Sequence, residues 1–227
     1  MPQTQSQHPS AAPVLAVLTG DIIRSTRRSP EALDAAMATL AAAAAAMSAW
    51  DGGRPARFTR FRGDGWQCLA PAAGLALRAV LFLRANLRAL DRDADTRVSV
   101  GIGPGALPAG DDLAAASGPA FEISGRGLDR MARVQQLAVA WAAPPPAAAV
   151  IGAVYALTDE ISRLWTPRQA EVMIETLSPG DESQEALAAH HGVTQQAIAK
   201  RLSGGGEWAL RRALAALEAG PHDSTTR

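Results

Sequence analysis

The chain of 227 residues has one cysteine, no net charge and no unbroken apolar run able to span a bilayer. The lone Cys68 excludes a disulfide framework and suits a reducing compartment. Lysine plus arginine and aspartate plus glutamate balance at 22 each, so no global basic field draws the protein to nucleic acid. Any DNA contact has to be local. The most apolar later stretch, Leu137–Leu157, is interrupted by Pro144-Pro145-Pro146 and cannot cross a membrane as one helix. Residues 1–13 lack the basic and apolar regions of a signal peptide and read as a loose polar tail, with a second such tail at 220–227. The expectation is a soluble cytoplasmic protein with no membrane partner. What the chain does have is apolar content, 48% of residues, which is enough for one large core or two small ones.

Two stretches organise the rest. Ala16–Thr26, AVLTGDIIRST, is a short apolar run that ends in Gly20-Asp21 and a hydroxyl-rich turn. Arg60–Asp64, RFRGD, is a β-type run that closes on Gly63-Asp64-Gly65. Each sets an aspartate at a strand end, and two such carboxylates converging on one point would make a divalent-metal site facing a phosphate pocket. Asp64 also lies in an Asp-Gly hairpin signal, which by itself marks only a tight turn.

Taken in order, Val14–Thr19 reads as a buried strand, and Ser29 caps a helix that begins at Pro30 and stops at Asp51-Gly52-Gly53. Arg57–Phe61 and Trp66–Leu69 form a hairpin. Pro71 starts a second helix, Arg97–Gly103 is a fourth strand, Gly118–Gln136 a third helix and Leu137–Trp141 a fifth strand. The order β-α-β-β-α-β-α-β contains the βαββαβ ferredoxin-like core, an antiparallel sheet with helices on one face. The expected fold class is therefore α+β over 14–143, a linker helix over 144–165, and an all-helical unit over 166–219.

That helical unit carries a helix-turn-helix pattern in Gln184–Leu202. Ala188 lets two helices cross closely, Gly192 makes the turn, and Val193, Ile198 and Leu202 pack inward with Leu187. Thr194 is the expected N-cap of a recognition helix exposing Gln195, Gln196, Ala199, Lys200 and Arg201. Glutamine amides suit adenine edges, and Lys200 and Arg201 suit phosphates or guanine. The competing reading is a dimerisation module that never touches DNA. The pattern resembles bacterial MarR-like and sigma-type regulators. Trp208, Leu210, Leu214 and Leu217 give the last helix an apolar stripe for packing or dimer contact.

The segment order over Val14–Trp141 resembles the class III nucleotide cyclase catalytic domain and the smaller SatD-like proteins, which share a GDII…S start, a GD hairpin and a GIG strand. The resemblance implies metal binding by the Asp21 carboxylate, the Ile22 carbonyl and Asp64, with Mg²⁺ or Mn²⁺ as cofactor. It implies purine contact at Arg60 and a homodimer, since the family's sites form between two subunits. In the helix that follows, Gly118 and Arg126 fall into the family's register, Arg126 as the transition-state arginine. Glu122 replaces an asparagine that orients the ribose, and Ala115 stands where a purine-reading carboxylate is usual.

In this reading Ser25 and Thr26 add hydroxyl donors at a phosphate cradle, and Arg126 meets charge developing on the α-phosphate. An ionised Glu122 accepts hydrogen bonds only and repels a triphosphate. Arg126 also lies four residues after Glu122, the spacing of a surface ion pair. The leading expectation is a DNA-binding transcriptional regulator with a metal-dependent nucleotide-binding, cyclase-like sensory domain. The rivals are an active cyclase, which would convert a nucleoside triphosphate to a cyclic nucleotide and pyrophosphate, and a degenerate domain that only dimerises.

Overall fold

The computed structural model describes residues 12–50, 56–61, 63–180 and 182–220. Most of the expected tails at 1–13 and 220–227, the expected stop at Asp51-Gly52-Gly53, Arg62 and Asp181 lie outside them. Among the described residues the fold is α+β, with a five-stranded mixed sheet and eight helices. Strand β1, Val14–Ile22, occupies the middle of the sheet. On one side it pairs antiparallel with β3, Gly65–Leu69, which pairs with β2, Phe58–Phe61. On the other it pairs antiparallel with β4, Thr96–Pro104, and β5, Leu137–Trp141, joins β4 in parallel. The order is β2-β3-β1-β4-β5.

Strand alternation sends neighbouring side chains of β1 to opposite faces. Ala16, Leu18 and Ile22 join a core shared with α1, Pro30–Met47, and α2, Ala76–Leu90. Leu15 and Val17 join a second cluster with Leu69, Leu113, Ala120 and Phe121, the last two on α3, Pro119–Asp129. Within β1–β4 every pairing is antiparallel and α1 and α2 pack on one face, whereas α3, which follows that core, covers the opposite face and β5 joins β4 in parallel. Glycines permit this. A Cβ at Gly101 would lie 2.2 Å from the Ala120 carbonyl oxygen, and one at Gly103 would lie 2.7 Å from the Ala142 Cβ. Gly101 therefore lets α3 settle onto the backbone of β4, and Gly103 makes room for the chain that leaves β5.

The ends of the elements follow local chemistry. Ser29 accepts from the Ala32 N–H at 3.2 Å and caps α1, with Pro30 in the first turn. The helix expected over Gly118–Gln136 ends instead at Asp129. Residues 130–136 are irregular chain that runs back to the strand ends.

Beyond β5 come α4, Ala148–Ser162; α5, Pro167–Leu177; α6, Gln184–His190; α7, Gln195–Gly204; and α8, Glu207–Glu218. Thr166 and Gln169 close a capping box at the start of α5. Val172, Met173 and Leu177 of α5 belong to the same buried cluster as Leu77, Val80 and Leu81 of α2. Arg78 of α2 donates to both Glu218 carboxylate oxygens, at 2.7 and 2.9 Å, and to the Leu177 carbonyl at 3.1 Å. Among the described residues no helix is long and apolar enough to cross a membrane.

Candidate functional site

At the end of β1 the sheet opens into a cleft of about 330 Å³, lined by Asp21, Ile22, Ile23, Arg24, Ser25, Thr26, Asp64, Arg97, Arg133 and Gln136. Asp21 lies across from Gly65 on one neighbour and Arg97 on the other, so the register alone brings the hairpin and the start of β4 to its sides. The Arg97 guanidinium grips Asp21 with two nitrogens: Nε donates to Oδ1 at 2.9 Å and Nη2 to Oδ2. That hydrogen-bonded carboxylate, with the charges of Asp21 and Asp64, raises the Arg97 pKa above its ordinary value against the opposing effect of partial burial. Asp64 accepts from the Ser25 hydroxyl, and its main-chain carbonyl accepts from the Ile22 N–H at 3.1 Å. Arg24 has φ +56°, and among the described residues it is the one non-glycine with positive φ.

A fully buried cluster supports the floor. Arg84 of α2 donates to Asp95 at 3.0 Å, Asp159 at 2.9 Å, Ser162 at 2.7 Å, Gln136 at 2.9 Å and the Thr96 carbonyl at 3.3 Å. The Asp95 carbonyl accepts from the Ile23 N–H at 2.9 Å. Thr96 takes a hydrogen bond from the Trp66 indole at 3.0 Å and gives one to the Asp21 carbonyl at 2.7 Å. The strand end that carries Asp21 is thus anchored to α2, α4 and β3.

Of the site residues expected from sequence, Asp21, Ile22, Asp64, Ser25 and Thr26 come together here. Arg60 is not among the lining residues; it pairs with Asp34 at 2.7 Å and donates to the Gly63 carbonyl at 2.8 Å. Glu122 and Arg126 pair with each other at 3.2 Å on the exposed side of α3 and do not line this cleft. Arg97, Arg133 and Gln136 are what sequence reasoning missed. Arg97 reaches the site through the antiparallel register opposite Asp21, and Arg133 and Gln136 through the early end of α3.

The donor set is two carboxylates, with the Ile22 main chain beside them. Hard oxygen ligands of this kind suit Mg²⁺ or Mn²⁺, with water completing the shell. The residues fit such an ion once Arg97 turns off Asp21. Among the described residues no group of three or more His, Cys, Asp or Glu side chains is arranged to hold a metal.

The second expected region is α6 and α7. Gly192, at φ +60°, turns the chain between them. Thr194 caps α7 by accepting from the Ala197 N–H at 3.2 Å. Leu187, Ala188, Ile198 and Leu202 are buried, whereas Gln195, Gln196, Ala199 and Lys200 are exposed and Arg201 is half-buried. His191 Nε2 lies 2.6 Å from a carboxylate oxygen of Glu175 on α5. On α8, Leu210 and Leu214 are buried, but Trp208 stands in solvent under the Arg212 guanidinium, 5.4 Å from its ring centroid. The expected single stripe is therefore split between two sides of the helix.

No family model matches the chain, and no curated protein matches it. A crystal structure of a guanylyl cyclase resembles the fold weakly, with a TM-score of 0.37 and 15% identity over 52% of this chain and 71% of that one. A likeness of that degree carries no functional inference.

Proposed function

We propose that the chain is a nucleotide-responsive regulator, with a cyclase-like, ferredoxin-type unit over 14–143, a linker helix over 144–165 and a DNA-binding helix-turn-helix unit over 166–219. The observation that carries the nucleotide reading is the meeting of Asp21 and Asp64 in one cleft with the Ser25 hydroxyl on Asp64. Mg²⁺ or Mn²⁺ held by these oxygens would supply charge neutralisation at a phosphate. The protein's own contribution is orientation. Ser25 fixes one Asp64 oxygen, Thr96 fixes the Asp21 main chain, and Arg97 and Arg133 bring positive charge to the same opening. The polyphosphate of a nucleoside triphosphate is the complementary ligand.

The DNA reading rests on the exposed Gln195, Gln196 and Lys200 at a helix whose Thr194 cap and Gly192 turn match the motif. Glutamines at the start of α7 suit base edges, and Lys200 and Arg201 near its end suit phosphates. The alternative is an active cyclase that works as a homodimer. The exposure of Glu122 and Arg126 supports it, because both are free to face a second copy.

The test incubates the full chain with each of four nucleoside triphosphates and Mn²⁺, then reads retained ligand and cyclic product by mass spectrometry. Retained nucleotide without product supports the regulator; turnover transfers the lead to the cyclase. A mobility-shift titration across salt concentrations checks the other half. Lys200→Ala should weaken binding to all sequences alike and lower the salt slope by roughly one phosphate contact. A chain that shifts no DNA at low salt, with or without nucleotide, removes the DNA reading.

A further inference from the structure

We propose that Arg97 and the divalent metal are alternative counter-cations for Asp21, and that the guanidinium displaced by the metal turns to the phosphates of the bound nucleotide. The inference rests on the metal-site reading above and names what regulates that site. Arg97 occupies both oxygens of Asp21, the carboxylate a metal would need. A bidentate guanidinium takes a lone pair on each oxygen and sets a positive charge against both, which repels a second cation. The two cations therefore compete for the same oxygens.

Arg97 can leave at small cost. Its side chain is 36% exposed, lines the cleft and makes no hydrogen bond to any described residue other than Asp21. Once released it stays beside water and two carboxylates, so no buried charge is stranded. The electrostatics then change sign. Two carboxylates share the opening with Arg24, Arg97 and Arg133. With both carboxylates neutralised by a divalent ion, three guanidinium groups remain without a partner anion in the cleft. A ligand carrying three or four negative charges completes the balance, and one carrying two does not. Metal and triphosphate should accordingly bind with positive coupling, each raising the affinity for the other.

The test is titration calorimetry of the full chain with Mn²⁺ alone, then with a non-hydrolysable nucleoside triphosphate at fixed Mn²⁺. Wild type is compared with Arg97→Gln, Arg97→Lys and Asp21→Asn, and thermal melts confirm folding. Arg97→Gln should bind Mn²⁺ up to about fivefold tighter, the size expected for loss of one partly screened competitor, and should lose triphosphate affinity by a similar factor. Arg97→Lys, which keeps charge without the fork, should fall between. Mn²⁺ affinity unchanged or weaker in folded Arg97→Gln overturns the competition. Wild-type triphosphate affinity in that variant overturns the hand-over to phosphate. Failure of the site itself has a separate signature: wild type, Arg97→Gln and Asp21→Asn would all bind Mn²⁺ equally or not at all.

Discussion

Arg84 and Arg97 sit at the same end of the sheet and each holds a carboxylate, yet they are built for opposite purposes. Arg84 is fully buried between Asp95 and Asp159, with five partners that use its whole fork. Asp159 spends its other oxygen on the main-chain N–H groups of Gln136 and Leu137, at 2.7 and 3.2 Å. Nothing in that cluster can be exchanged without orphaning several groups. Arg97 faces a cleft and holds one carboxylate. Saturation makes a joint; an unsaturated pair at an opening makes a site.

The largest expected effect is on the joint. Arg84→Met strands two buried carboxylates and frees α4 from the sheet, and should cost on the order of 3–5 kcal/mol. Urea unfolding of the full chain measures this directly. A loss under about 1 kcal/mol would mean that water reaches the cluster, and the contrast with Arg97 would collapse.

The middle effect is on the site. Asp21→Asn removes a partner from a pair whose members are both in contact with solvent, so stability should change by no more than about 1 kcal/mol. Mn²⁺-dependent nucleotide binding should vanish. Destabilisation as large as that of Arg84→Met would place Asp21 among the structural joints instead.

The legibility of these two regions from sequence differed for the same reason. Asp21 and Asp64 could be found because glycine flanks each of them at the end of a strand-like run. The caps Ser29 and Thr194 were equally local and lie where the sequence places them. Arg84 was unreadable. In a helical pattern of Leu75, Val80, Leu83 and Leu87 a basic residue reads as solvated, and its partners lie 11 and 75 positions away. The face taken by α3 was missed because close packing on Gly101 is a tertiary property. The early end of α3, which frees Gln136 for both the Arg84 cluster and the cleft, was missed with it.

A third arginine pair extends the comparison to its weakest member. Arg126 and Glu122 are joined at 3.2 Å with more than half of each side chain in solvent. An exposed pair at this helical spacing contributes roughly 0.2–0.5 kcal/mol, so Arg126→Ala should leave the melting curve almost unmoved. That small structural effect is what makes the variant informative about turnover. Arg126 does not line the cleft of its own chain, so a catalytic role requires a second copy to bring it there. A preparation of Arg126→Ala alone, or of Asp21→Asn alone, would then yield no cyclic product. A mixture of the two would contain mixed dimers in which one cleft has an intact Asp21 from one copy and an intact Arg126 from the other. Product recovered only on mixing would establish the composite site and the cyclase reading with it. No product from wild type or from any mixture, with nucleotide retained, would leave Arg126 and Glu122 as a surface ion pair and the cleft as a site that binds without turning over.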